Sequence, residues 1–500
     1  MNITVLYVGS SLLAPLKNAE REINRTYDLD LRVAAYNFGS PLSDREWQDV
    51  DHDLREANIV FVIHVMDGEN ASRLVTALES YKNQHDAVVV INCMPELMRR
   101  TRMGRLDVNR LSSTGAWIGK YAKRRNHGKN AHQYLKLVDR LPGILKFIPT
   151  AGALTDAKHY LYLFCYFLQP TPANIQAMLL YSLRQYVRDH RLKSVKVSTP
   201  QQVPSVAIYH PDARQLFESF EEYEKWHLAR KKTPLSPEST LGLLLMRPQV
   251  VSKTTKHYDA LIRAIEGEGL SVIPAIATLM DSREGVTRFF RNGSPRVSQI
   301  VSLTGFSFVG GPAMNDSAAA SEFLRELNLP YRSAVSLDTQ TVEAWRESQT
   351  GLNPIQAGMQ IAIPEIDGAT EPFIYGGIPV KGQEPRPPED RCVRFARRLK
   401  RWNNLQTSTR DQLKLAIVLF CFPPNKGNIG TAAVLDVFPS VWDLLKRLES
   451  EDYRVEVPGT PDELRERLLG GNSETFGAPP NLAYRMTTSA YLRLGPDARE

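Results

Sequence analysis

Short unbroken apolar runs alternate along the chain with longer stretches in which apolar residues recur every three or four positions. The first pattern is that of strands covered on both faces in a parallel sheet, and the second is that of the helices covering them. Within 1–95 the strand-like runs fall at 3–8, 31–36, 59–65 and 87–91, with a helical pattern at 70–81. This alternation predicts an amino-terminal α/β domain. The rhythm changes over 96–193. Helical patterns there at 159–167 and, beyond Pro170 and Pro172, at 173–187 predict an inserted helical region.

Residues 194–240 read as a mobile connection holding a short strand at 206–209 and a helix at 214–228, with a boundary marked by the Pro and Lys content of 231–240. A second α/β domain spans 241–380. Its strands are predicted at 241–245, 270–277, 299–303 and 361–363, and its helices at 257–266, 318–327 and 341–346. Another connection, 381–412, carries a helix at 391–402. Its apolar stripe is Cys392, Phe395, Leu399 and Trp402, and its other face holds Arg391, Arg394, Arg398 and Arg401. The run 414–420 is apolar after its first residue and predicts a buried strand, followed by a strand at 454–457 and a helix at 462–469. These open a third α/β unit over 413–500 that is expected to be incomplete, because its strands are too few for a sheet of ordinary size. The expected fold class is therefore α/β, with several Rossmann- or flavodoxin-like parallel-sheet units and an inserted helical region.

Composition adds limits. With 42% hydrophobic and 23% charged residues the chain is of globular type. A net charge of +7 is mildly basic and suits an acidic partner or a carboxylate-bearing ligand. The most basic stretch, from Arg99 and Arg100 through Arg110 to Lys120 and Lys129, lacks interleaved aromatic residues, so no nucleic-acid site is predicted. Cys93, Cys165, Cys392 and Cys421 stand far apart with no CxxC, which suits buried thiols in a reducing cytoplasm better than zinc or disulfides. The longest apolar run, 160–168, is shorter than the roughly 20 residues of a bilayer span. A cytoplasmic protein with no transmembrane segment is expected.

Residues able to do chemistry gather where predicted strands end. After the 414–420 run come Lys426, Gly427, Asn428, Ile429 and Gly430, whose glycines permit positive φ and close approach to a ligand, and then Thr431, suited to cap a helix. Open α/β sheets bind ligands at such carboxyl-end loops, although a plain strand-to-helix connection accounts for the same letters. The run at 59–65 leads to His64 and Asp67, able to bind a ligand or move a proton, or to begin a helix with Asp67 as its cap. Gly305, Gly310 and Gly311 follow one predicted strand, while Glu365 and Asp367 follow another. That carboxylate pair suits a hard cation such as Mg2+, and with Gly368 it equally suits a turn. No HExxH, GxSxG or Walker motif occurs, so zinc protease, serine hydrolase and ATPase chemistry find no support.

Four stretches carry a family resemblance: LTGFSFVGGPA (303–313), GLNPIQAGMQIAIPEIDGATEPFIYGG (351–377), FPPNKGNIGTAAVLDVFPSVWDLLKRL (422–448) and PNLAYRMTTSAYLRL (480–494). In the same order they resemble the large, porphyrin-binding H subunit of magnesium chelatase and more distantly cobaltochelatase CobN. The resemblance implies insertion of Mg2+ into protoporphyrin IX in chlorophyll or bacteriochlorophyll biosynthesis, with those two species as substrates. It also implies that ATP is bound by the separate AAA+ motor subunits, I and D, and not by this chain. The family's active-site segment of HFGTHG type does not occur here, so no catalytic residue is carried over. The chain is expected to be an amino-terminal portion of a longer protein or a shortened relative, inactive alone. The alternatives are a cobaltochelatase CobN-like subunit acting on a corrin precursor and a non-catalytic tetrapyrrole-binding or regulatory module.

Overall fold

A computed structural model describes residues 1–8, 12–39, 41–65, 68–91, 93–109, 153–277, 281–310, 315–380, 383–388, 390–420, 429–430, 432, 434–470 and 486–494. Asp67, Gly311, Lys426, Gly427, Asn428, Thr431 and the basic residues between Arg110 and Lys129 lie outside the described residues. The chain forms two units, Met1–Asn403 and Asn404–Glu500.

The first unit contains two six-stranded sheets. In the first, β1 (Asn2–Tyr7), β2 (Arg32–Asn37), β3 (Ile59–Ile63) and β4 (Ala87–Ile91) run parallel in the spatial order β2-β1-β3-β4. A short antiparallel hairpin, β5 (Arg102–Met103) and β6 (Leu106–Asp107), extends the β4 edge. The apolar run of β3 needs cover on both faces and has it: Ile59, Phe61 and Ile63 belong to one core, Val60 and Val62 to the other, and all five are 0% exposed. Helices Ala153–Leu168 and Pro172–Tyr186 contribute Leu163, Tyr166, Ile175 and Met178 to the first of these cores. The described part of the predicted helical insertion is thus a layer covering this sheet. Helices Asp44–Arg55 and Glu69–Ser80 close the opposite face with Val50, Leu54 and Leu74.

The second sheet is built from β7 (Ala207–Ile208), β8 (Thr240–Met246), β9 (Ser271–Ala277) and, beyond a minor hairpin of β10 (Arg291–Asn292) and β11 (Ser294–Pro295), β12 (Gln299–Ser302), β13 (Tyr331–Leu337) and β14 (Thr370–Gly377). Its order is β14-β13-β12-β8-β9-β7, parallel throughout except for β7. Counting parallel strands along the chain, both sheets have the second strand outside the first and the third on its other side. This is the flavodoxin-like order.

Several expectations are corrected. The stretch read as a mobile connection, 194–240, supplies β7 and the helix Phe220–Lys231 to the second sheet's layers, and its buried Tyr223 donates to the Val272 carbonyl at 2.7 Å. That helix starts at 220 instead of 214 because Ser219 caps it, accepting from the Glu222 amide, while Phe217 pairs with Ile208. The arginine-rich helix extends over Arg391–Thr407 and is a cover for the sheet, with Cys392, Phe395, Ala396 and Leu399 buried. Three arginines of its predicted basic face meet partners within the unit: Arg394 pairs with Asp390 at 2.6 Å, Arg398 with Glu371 at 3.1 Å, and Arg391 donates to the Ile374 carbonyl.

The strand predicted at 361–363 is helical, falling in a π-helical turn Gly358–Ala362 and the helix Ile363–Asp367. Asn353 caps this run and Pro354 opens it. A three-residue apolar stretch cannot distinguish strand from helix. In the second unit, helices Val437–Ser450, Pro461–Leu469 and Thr488–Leu494 form, but no β-strand does among the described residues. The strands predicted at 414–420 and 454–457 form no regular secondary structure and lie outside any sheet. Leu415, Val418 and Phe420 are 55%, 90% and 67% exposed, because the flanking strands and second covering layer that such a run requires are not among the described elements of this unit. No helix among the described residues is long and apolar enough to cross a membrane.

Candidate functional site

In each sheet the winding direction reverses between the first and third parallel strands, and the crevice outside their carboxyl ends is where such sheets hold ligands. In the first sheet His64 occupies this edge, directly after β3. Its φ of +59° marks a backbone held away from the usual regions, and its amide donates to the Ile91 carbonyl at 3.1 Å. The imidazole meets the Phe167 ring edge-on at 5.2 Å, and burial lowers its pKa, so it is neutral at physiological pH. The helix that follows does start here, but Gly68 holds its N-cap position, with a φ of +104°, in place of the expected Asp67.

The second sheet offers the richer edge. Tyr258, on the helix Lys256–Gly267, spans the reversal itself: its hydroxyl accepts from the Met246 amide at 3.3 Å and donates to the Leu303 carbonyl at 3.4 Å, joining the ends of β8 and β12. Beyond β12 the chain turns at Gly305, whose φ is +71°. Gln360 lies against it, since a Cβ on Gly305 would stand 3.3 Å from the Gln360 amide carbon. The π-helical turn puts Gln360 there, and such turns are frequent at functional positions. Its Nε2 donates to the Ser336 carbonyl at 3.1 Å and to Asp338 Oδ1 at 3.2 Å.

Asp338 follows β13. Burial raises its carboxyl to about 6, which lets it hold or release a proton near neutrality. Beside it on β13 and β14 stand Ser336, Tyr375 and the space above Gly376, where a Cβ would meet His257 at 3.0 Å and Ser336 Oγ at 3.2 Å. His257 is fully buried, its pKa is lowered to about 3 by burial, and its ring lies 5.7 Å from that of Tyr375. Both His257 nitrogens, Tyr375 Oη, Ser336 Oγ and Gln360 Oε1 are buried with no hydrogen-bond partner. A group of such atoms at one edge is suited to a polar ligand or ordered waters.

Other candidates divide differently. Glu365 and Asp367 lead into β14 instead of leaving a strand, so they are not at its carboxyl end. Glu365 is exposed, whereas Asp367 is buried and accepts from Ser307 Oγ at 2.6 Å and the Phe308 amide at 2.7 Å, tethering the loop after β12. The pair expected to hold a cation therefore has one member engaged in structure. Gly430 has φ +71° and packs against Val437, as a turn requires. His210, Asp212 and Glu266 bring ligand atoms within 4.8 Å of one another. The protein's own cations already fill that cluster: Arg230 grips Glu266 at 2.7 and 2.6 Å and Asp212 at 2.6 Å, and Arg263 reaches Asp212 at 3.2 Å. Burial opposes ionisation of Glu266, but the Arg230 and His210 contacts hold its carboxyl below the usual range. Cys165 and Cys392 are buried, with thiols pushed up to about 12, as packing residues are.

Sequence reasoning placed His64 and Gly305 at strand ends but missed Tyr258, Asp338, Gln360 and Tyr375. The available signal was the acidic residue closing SAVSLD (333–338), which becomes informative only once β13 is recognised.

Comparison with known proteins adds the following. The family described as CobN/Magnesium Chelatase matches residues 164–498, and a domain of unknown function, DUF3479, matches residues 2–161. The chain is 35% identical over 497 residues to the chloroplastic magnesium-chelatase subunit ChlH of Oryza sativa subsp. indica, covering 97% of this chain and 36% of that protein. It is 32% identical over 456 residues to the magnesium-chelatase H subunit of Rhodobacter capsulatus, covering 87% of this chain and 37% of that protein. Among solved structures it shares its fold with the catalytic subunit of cobaltochelatase from Mycobacterium tuberculosis, at a TM-score of 0.50 and 18% identity, over 95% of this chain and 33% of that one. The chain thus spans little more than a third of the curated relatives it matches.

Proposed function

The chain belongs to the CobN/magnesium chelatase family, and from that premise we propose that it forms the porphyrin-binding part of a magnesium chelatase large subunit. In this reading it takes part in ATP-dependent insertion of Mg2+ into protoporphyrin IX on the way to chlorophyll or bacteriochlorophyll. The observation that carries the proposal is 35% identity to a magnesium-chelatase subunit over 97% of the chain. The chemistry explains the division of labour. Mg2+ gives up its water reluctantly, and the macrocycle must lose two pyrrole protons, so insertion needs an outside source of free energy. The sequence has no Walker motif, which fits ATP being bound by the separate AAA+ motor subunits, I and D. The chain supplies tetrapyrrole-binding surface in the cytoplasm, and by itself it binds without turning over.

Titration of the purified chain with protoporphyrin IX, followed at the Soret band, tests the first half of this reading. Addition of Mg2+, ATP and the I and D motor subunits then tests the second. Saturable Soret shifts are expected, without Mg-porphyrin formation by the chain alone. Absence of any Soret shift would overturn the proposal. The cobaltochelatase reading is kept alive by the family itself, whose description joins CobN to magnesium chelatase. Binding of a corrin precursor in preference to protoporphyrin IX would favour it, and porphyrin binding that never supports turnover, even within a complete complex, would favour a regulatory module.

A further inference from the structure

We propose that the edge around Asp338, at the carboxyl end of the second sheet, binds a small cation rich in hydrogen-bond donors, either a protonated amine or a hydrated metal ion. The inference rests on the charge and hydrogen bonding of this edge and not on the tetrapyrrole reading. Elsewhere the protein meets buried or half-buried carboxylates with its own cations. Arg230 grips Glu266 at 2.7 and 2.6 Å, Arg32 reaches Asp53 at 2.8 Å, and Arg332 reaches Glu371 at 2.8 Å. Asp338 is treated differently. It accepts from Gln360 Nε2 at 3.2 Å and from the backbone amides at 338 and 339, and no Lys or Arg among the described residues pairs with it. Its carboxyl ionises above about 6, so at neutral pH a half-buried negative charge stands there without a countercharge.

The atoms around it lean the same way. Gln360 is 3% exposed and spends its Nε2 on Asp338 and the Ser336 carbonyl, so its unpaired atom is the acceptor Oε1. Ser336 Oγ, Tyr375 Oη and one nitrogen of the neutral His257 can also accept, and all are buried without a partner. The unpaired donor nearby, Gln356 Nε2, sits one helical turn earlier, where Gln356 Oε1 accepts from Thr339. His257 and Tyr375 are fully enclosed, whereas Ser336 and Asp338 are half-buried, so the edge opens to solvent beside the carboxylate. Two stretches that carry the family resemblance, 303–313 and 351–377, meet here, with Gln360 against Gly305 and Gly376 against His257 and Ser336.

The nature of the ligand follows from this balance. An excess of acceptors around an uncompensated carboxylate calls for a ligand that donates hydrogen bonds and carries positive charge. A protonated amine offers several N–H donors, and a hard cation such as Mg2+ keeps bound waters that donate in the same way. An anion would meet neither need. Carboxylate groups of a porphyrin therefore do not belong at this edge, which makes it a site apart from the tetrapyrrole surface.

The test titrates the full 500-residue chain, at neutral pH and constant ionic strength and without porphyrin, with methylammonium chloride, magnesium chloride or tetramethylammonium chloride, the last a cation with no donor. Amide hydrogen exchange over 336–340 and 356–362 is the readout. Saturable slowing by about tenfold or more is expected with methylammonium or Mg2+, and none with tetramethylammonium. Slowing by one of the two donor cations alone would support the proposal and name the source of the charge. Asp338→Asn keeps the oxygen that Gln360 bonds and should abolish the response. Tyr375→Phe should weaken binding about threefold or more while leaving the free chain no less stable, because it removes a buried hydroxyl that has no partner. No saturable slowing by either donor cation, equal slowing by tetramethylammonium, or a wild-type response in either variant would each overturn the proposal. Because no porphyrin is present, failure here leaves the tetrapyrrole reading standing, and a missing Soret shift leaves this one standing.

Discussion

The segments IVFVI (59–63) and LAIVLF (415–420) are written in nearly the same alphabet, and the structure treats them oppositely. The first is β3, central in its sheet and sealed by helices on both faces. The second lies outside any sheet and is largely exposed. The difference shows that an unbroken apolar run states a requirement for cover, whereas fulfilment depends on what else folds around it. Helices 153–168 and 172–186, far along the chain from β3, meet that requirement in the first unit. The described elements of Asn404–Glu500 do not meet it in the second.

Mutations at matched depths would break or sharpen this contrast. Phe61→Ala should have the largest effect, because it opens a cavity between β3 and its helical cover where the side chain is 0% exposed. A loss of about 3–5 kcal/mol is expected from the denaturant midpoint of the first unit; a loss below about 1 kcal/mol would mean that this core is far looser than its packing implies. Gly242→Ala should follow. A Cβ there would fall 2.6 Å from the Phe290 ring, pressing β8 against its layer, and overpacking of this sort costs about 1–3 kcal/mol.

How far the sequence could be read follows the same logic. Runs such as 59–63 and 240–246 were visible because both faces of those strands are apolar. β14 was hidden because TEPFIYGG holds a proline and paired glycines, residues that weaken a strand pattern, and β7 is only two residues long. His64 was legible as a titratable residue closing an apolar run. Gln360 was not: a π-helical turn aims it at Asp338, and nothing in the letters GMQIA distinguishes that turn from an ordinary helix or a short strand. Tyr258 acquires meaning only from strand order, since its hydroxyl joins β8 to β12 across the reversal.

A subtler comparison sets the buried edge group against solvent. Burial raises the Asp338 carboxyl from 3.8 to about 6, so the folded chain holds this proton longer than the unfolded chain does. The associated stability is fully present below about pH 4 and is lost as pH rises through 6. Asp338→Asn keeps the oxygen that Gln360 bonds while removing the charge. The variant should therefore gain on the wild type between about pH 4 and pH 7, by on the order of 2 kcal/mol. Parallel stability curves for the two proteins across that range would refute the assignment.

The smallest effect should come from the exposed counterpart of Phe61. Val418→Ala removes two methyl groups from a run that reads as core, and core truncations of that kind ordinarily cost about 1 kcal/mol or more. Here the side chain is 90% exposed, so the isolated chain should change by no more than about 0.5 kcal/mol. A Val418→Ala change that destabilises the chain alone as much as an interior truncation would place this residue in a formed core, and the contrast with β3 would vanish.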